Sequence, residues 1–243
     1  MNLSRWTAWT PNRETPEAWR EWARGAVVNA DAGGKAELAP SLKEIPPLLR
    51  RRAGLLGRAM LHVLSRPEMV YAGEALIFCS RLGEFSRALT LQQELAREES
   101  LSPQLFSMSV HNATGGLFMM AEKANAPLTA LSAGAETAAA GLYEAAIQLA
   151  DGREKIWLVY GEEPLPEAWR ALSALPDDHT DYFALLLELT PGEAFVLTTE
   201  ASGHTNAPAS PLDLLRFFLS PEAACLSLSS RGNLSLRRNT ACV

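Results

Sequence analysis

The chain reads as an α/β protein whose mixed sheet carries helices on both faces, and three observations lead there. Short apolar or β-branched runs alternate with segments of helical period through its middle. Residues 155–160 (KIWLVY) carry an unbroken apolar run after Lys155, of the kind a strand buried on both faces needs. Residues 137–151 are rich in alanine, with Leu142, Ala145, Ala146 and Leu149 at helical spacing, and follow a short strand-like run after a turn of small residues.

Residues 3–10 alternate loosely around Trp6 and Trp9 and predict an opening strand ended by Pro11. Thr15 as N-cap and Pro16 at the first position start a helix running to about residue 26, and residues 25–39 read as a linker. Residues 47–65 predict one helix, residues 70–78 a strand, and residues 85–99 an amphipathic helix after a turn at Gly83. In residues 105–124 a polar cluster of Ser109, His111, Asn112 and Thr114 precedes an apolar helix face of Leu117, Met119 and Met120. Leu128, Thr129, Ala130 and Leu131 make a strand preceded by Pro127. Residues 182–189 and 193–199 predict an antiparallel hairpin across Thr190-Pro191-Gly192, residues 211–219 a helix, and residues 225–236 two short strands across Gly232.

The composition excludes several function classes. With 243 residues, 47% hydrophobic and 21% charged, the chain can bury one sizeable core or two small ones. A net charge of -6 disfavours nucleic acid as the main partner, because neutralising phosphates needs a dense basic surface. No apolar run reaches membrane-spanning length, and Glu188 and Glu193 interrupt the most hydrophobic stretch, so no membrane partner is expected. The N-terminal residues lack a signal pattern, which points to the cytoplasm. Cys79, Cys225 and Cys242 are widely spaced and read as reduced thiols. Neither cofactor nor metal is expected: no His or Cys spacing suits a metal, and Gly33-Gly34-Lys35 lacks the earlier glycine and the following Ser or Thr of a phosphate loop. The basic residues Arg50, Arg51, Arg52 and Arg58, and Arg231, Arg237 and Arg238, read as solvated local clusters, the first also able to receive an acidic protein surface.

The segment 126–141, APLTALSAGAETAAAG, is a strand, a small-residue turn and a helix. Such a turn presents its tip side chain beside free helix N–H groups, where a thiolate or an oxyanion would be stabilised. Here the tip carries only the methyl group of Ala135, which cannot act as a nucleophile.

This segment resembles the elbow that carries the catalytic cysteine of β-ketoacyl synthases. IPPLLRRRAGLLGRAM, AGEALIFCSRLGEF, LSPQLFSMSVHNATGG and a strand ending in VYGEE extend the resemblance over residues 45–163. The phrasing of SVHNATGG and RLGEF is similar to short ketosynthase-like proteins of aryl polyene pathways, which resemble chain-length factors. The resemblance implies a thiolase fold, a half-ketosynthase in one domain over residues 1–243, with a core at about 45–190 and additions at 1–44 and 191–243 packing on it. Ala135 falls at the nucleophile position, and the two histidines used for malonyl decarboxylation belong to a second half this chain lacks. His204, in SGHTNAP, reads as an accidental likeness to one of them.

What the resemblance implies about function is a non-catalytic subunit, pairing with a full-length ketosynthase as a heterodimer or heterotetramer and meeting acyl carrier protein through that complex. Leu105, Phe106, Leu117, Phe118, Met119 and Met120 correspond to the segment bordering the acyl pocket, with Leu105 where a gating aromatic commonly sits. Leu128, Thr129, Ala130 and Leu131 correspond to the strand through which two ketosynthase sheets join. Two alternatives stand beside this: an acyl hydrolase or acyltransferase using Ser109 or His111, and a homodimeric module binding acyl carrier protein. The plain structural role for His111 and Asn112 is to hydrogen-bond backbone groups at a helix start.

Overall fold

The fold follows from a five-stranded sheet that takes strands from the whole first four-fifths of the chain. In the computed structural model, residues 1–25, 39–97, 100–170, 181–199, 207–230 and 234–239 are described; the expected linker, the Gly33-Gly34-Lys35 triplet, His204, Arg231 and Cys242 lie largely or wholly outside them. The sheet contains β1 (Asn2–Trp9), β2 (Ala75–Cys79), β3 (Leu128–Leu131), β4 (Ile156–Glu162) and β5 (Phe183–Thr190) in the order β1-β5-β4-β2-β3. β2, β3 and β4 are parallel; β5 runs antiparallel to both β4 and β1. β2 and β4 are buried along their whole length, as their continuous apolar sequences require.

Each face of the sheet holds its own core. On one face α7 (Thr137–Ala150) lies over β2, β3 and β4, and α1 (Pro16–Ala23) and α9 (Pro211–Leu219) bring Trp19, Leu214, Leu215, Phe217 and Phe218 to the same cluster. On the other, α3 (Leu55–Leu64) and α6 (Ala113–Glu122) pack on Leu76, Phe78, Trp157 and Leu186. Gly141 is what lets α7 sit so low: a Cβ there would lie 2.5 Å from the Cys79 sulfur and 3.1 Å from Leu158 Cδ1. Burying Glu188 in this sheet is tolerated because Trp157 Nε1–H donates to it and Lys155 and Arg5 lie within ion-pair distance.

Several sequence expectations need correction. The single helix over 47–65 is two, α2 (Pro47–Arg50) and α3, broken at Gly54, which is extended and has the Glu84 and Arg87 side chains against it. The strand near 70–78 begins only at Ala75, and the helix face expected within residues 105–124 is α6, preceded by a short α5 (Pro103–Ser107). The expected hairpin does not form. Both edges of β5 are taken, by β1 and β4, so β6 (Phe195–Thr199) is left to pair elsewhere. It joins β8 (Leu234–Arg238) and β7 (Cys225–Ser227) in a second sheet of order β6-β8-β7, whose Phe195 and Leu236 complete the core under α7. Two further helices, α4 (Phe85–Ala96) and α8 (Glu167–Arg170), follow β2 and β4 respectively. Among the described residues, no helix is long and apolar enough to cross a membrane.

Candidate functional site

Because β2, β3 and β4 are parallel, the loops leaving their carboxyl ends gather on one rim of the sheet, the usual place for a site in an open α/β fold. The loop after β3 is a tight elbow. Gly134 takes a left-handed φ of 58°, residues Gly134–Glu136 form one 3₁₀ turn, and α7 begins at Thr137. The buried Thr137 hydroxyl locks this turn, accepting from Ala133 N–H at 2.9 Å and donating to Gly134 O at 2.7 Å. Ser132 Oγ donates to the Arg81 carbonyl at 2.7 Å, tying the elbow to the loop after β2. Glu136 accepts from both the backbone N–H and the hydroxyl of Ser230, so the β7–β8 connection docks on the elbow. Ala135 sits half-buried at the tip. The turn thus has the form that positions a nucleophile, with a methyl group in its place.

On the same rim, after β2 and at the end of β4, lie three buried carboxylates, Glu84, Glu162 and Glu163, that sequence reading did not single out. Glu162 Oε1 accepts from Arg81 N–H at 2.8 Å, Arg81 Nε–H at 3.3 Å and the Tyr160 hydroxyl at 2.7 Å. Glu84 accepts from Gly57 N–H at 3.0 Å and pairs with Arg87 Nε at 3.1 Å. Glu163 accepts from Ser86 N–H. Burial raises all three carboxyl pKa values above the ordinary range, against the opposing pull of Arg81 on Glu162 and of Arg87 on Glu84. Glu163, with no cation to offset its burial and Glu84 nearby, is pushed up to about 7. Burial, followed by the Glu162 charge, also pushes the Tyr160 phenol upward. The available signal was the pair of acids in VYGEE, at the end of a strand too apolar to be solvated.

A strand-turn-helix elbow on the rim of this mixed sheet is the arrangement of the thiolase-like ketosynthases, and the model of the β-ketoacyl synthase N-terminal domain matches residues 19–232. This chain belongs to the β-ketoacyl synthase family. No curated protein matches it in sequence. Among solved structures it is similar to a chain of the ketosynthase ApeO in complex with its chain length factor ApeC from Xenorhabdus doucetiae, with 27% identity and a TM-score of 0.77, covering 98% of each chain. It shares the fold of the ishigamide ketosynthase/chain length factor, at 13% identity and a TM-score of 0.56, covering 81% of this chain and 66% of that one. It shares it also with a chain of AntDE:AntF, a type II polyketide synthase acyl-carrier protein in complex with its ketosynthase, at 12% identity and a TM-score of 0.57, covering 82% and 69%.

The structure spreads the ketosynthase-like residues named from sequence over the core, the half-buried zone and the surface. Leu117 and Phe118 are core, Phe118 packing edge-on to Tyr71 at 5.2 Å. Phe106 and Met120 are exposed, at 63% and 50%, while Leu105 and Met119 are half-buried, Met119 receiving the Tyr71 hydroxyl at 3.7 Å. Leu128, Thr129, Ala130 and Leu131 form the edge strand of the main sheet, hydrogen-bonded to β2 alone among the described strands. Ser109 and His111 are not brought together. Ser109 Oγ donates to the Phe106 carbonyl at 2.9 Å, and the His111 ring lies against Gly83. Asn112 is the N-cap residue of α6 without a side-chain hydrogen bond, which corrects the expectation that its side chain bonds backbone groups at that helix start. The basic clusters are not simply solvated: Arg50 and Arg58 donate to the carbonyls of Ser41, Leu42 and Pro40, Arg87 to that of Arg52, and Arg238 lies over the rings of Phe195 and Phe217. Cys79 is a buried free thiol and Cys225 an exposed one. Among the described residues no group of His, Cys, Asp or Glu is arranged to hold a metal ion.

Proposed function

We propose that this chain is a non-catalytic, chain-length-factor-like subunit that pairs with a full-length ketosynthase and shapes its acyl tunnel in type II polyketide or fatty acid biosynthesis of the aryl polyene kind. The observation that carries this reading is Ala135: the elbow is built to hold a nucleophile, yet its tip has no atom able to form a thioester. Similarity over 98% of the chain to a chain of a ketosynthase and chain length factor complex supports the same conclusion. The substrate is an acyl chain on an acyl carrier protein, extended by malonyl units in the partner's site.

In this reading β3 joins the partner's sheet through its free edge, which also removes an edge that would otherwise invite aggregation. Phe106 and Met120, apolar and exposed, face the partner, with Leu105 and Met119 beside them. Leu117 and Phe118 act from behind by filling volume that methylenes would otherwise occupy. The test is purification of the tagged chain from its native host at endogenous level, with identification of bound proteins and native mass measurement. Recovery of a full-length ketosynthase in a fixed stoichiometric ratio is expected. A chain that returns alone or as a homodimer overturns the reading.

A further inference from the structure

The edge strand β3 is only four residues long and, among the described strands, is hydrogen-bonded to β2 alone. A short edge of this kind is the part of a sheet most prone to local opening. Its exit into the elbow is nevertheless tied to the interior by a chain of polar contacts crossing the rim of the three parallel strands. The Tyr160 hydroxyl on β4 donates to Glu162, Glu162 accepts the backbone N–H and Nε–H of Arg81 after β2, and the Arg81 carbonyl accepts from Ser132 after β3. Glu162 is 1% exposed. A buried Arg–Glu pair returns little net stability compared with apolar side chains of the same volume. What it supplies is direction, since the carboxylate oxygen accepts all three donors from fixed angles and thereby sets where the Arg81 carbonyl points.

We propose that this relay, Tyr160 to Glu162 to Arg81 to Ser132, is a positioning device that sets the elbow and the free edge of β3 in the geometry offered to a partner subunit. Its partner-facing half rests on the reading given under Proposed function. Glu162 and Arg81 act through Ser132 and are positioning residues. Ser132 is exposed, so its hydroxyl can be removed without opening the core.

The experiment measures hydrogen exchange across residues 128–137 in the full chain, with residues 183–190 of β5 as internal control, and the affinity for the full-length ketosynthase that co-purifies with it. Ser132→Ala is expected to speed exchange in 128–137 about five-fold, the factor for one neutral hydrogen bond, and to weaken ketosynthase binding by a similar factor. Ser132→Thr restores both, and β5 does not change. Glu162→Gln has at least the same effect, and adding Ser132→Ala to it brings little more, because the two act in series. Unchanged exchange in Ser132→Ala, or additive effects in the double variant, overturns the relay. Faster exchange with unchanged affinity overturns its partner-facing half. A wild-type chain that binds no ketosynthase refutes the proposed function instead, and the exchange measurement still decides the relay.

Discussion

Replacing Glu163 by glutamine should stabilise the protein at pH 8 and leave it unchanged near pH 5. Glu163 is 7% exposed, its carboxylate accepts one backbone N–H from Ser86, and its pKa is pushed by burial and the nearby Glu84 from 4.5 to about 7. Between those two values the folded protein binds a proton that the unfolded chain has released. Stability therefore falls as pH rises through this window and stays at its lower level above it. At about 1.36 kcal/mol per pH unit, the interval amounts to a ceiling of about 3 kcal/mol. Glutamine keeps an oxygen to accept from Ser86 but adds an amide group needing its own partner, so a net gain of about 1–2 kcal/mol is expected. For a chain of this size that is a rise of about 3–6 °C in Tm. Thermal unfolding of both proteins at pH 5 and pH 8 is the assay. A variant less stable than wild type at pH 8, or an offset equal at both pH values, refutes the argument that the buried charge is a cost.

Gly141→Ala should destabilise the fold by about 1–3 kcal/mol in denaturant unfolding, because its Cβ would lie 2.5 Å from the Cys79 sulfur. Adding Cys79→Ala removes that sulfur and should recover part of the loss, so a strictly additive double variant would contradict the contact. Ala130→Lys places a charge on the exposed position of β3 and should leave Tm within about 2 °C while abolishing ketosynthase co-purification; retained binding would remove β3 from the interface. Ala135→Cys should not confer condensation of acyl and malonyl groups on the isolated chain, and radiolabelled product from that variant would sink the non-catalytic assignment.

Much of the fold was legible where the signal is local. KIWLVY supplies most of β4, Thr15 caps α1 through Ala18 N–H, and the helix expected over residues 211–219 is α9. The elbow was legible for the same reason, since strand, small turn and alanine-rich helix are consecutive in the chain. The 190–192 turn misled because a reversal signal specifies that the chain turns, whereas pairing goes to whichever edge is free, and β5 had none left. The helix over 47–65 misled because its apolar period runs through Gly54, where the chain is extended and the side chains of Glu84 and Arg87, some 30 residues away, lie where a Cβ would be.

By itself, then, the sequence determined the alternation of strands and helices, the shape of the elbow and the methyl group at its tip, all written in residues within one or two turns of each other. Only the tertiary structure decided that Glu84, Glu162 and Glu163 are buried side by side, that Ser132 is linked to Tyr160 through Arg81, and that β3 is left at an edge. An acidic residue after a strand is ordinarily solvated; whether it is buried depends on how much apolar surface the neighbouring loops cover, and that balance is struck between segments distant in the chain.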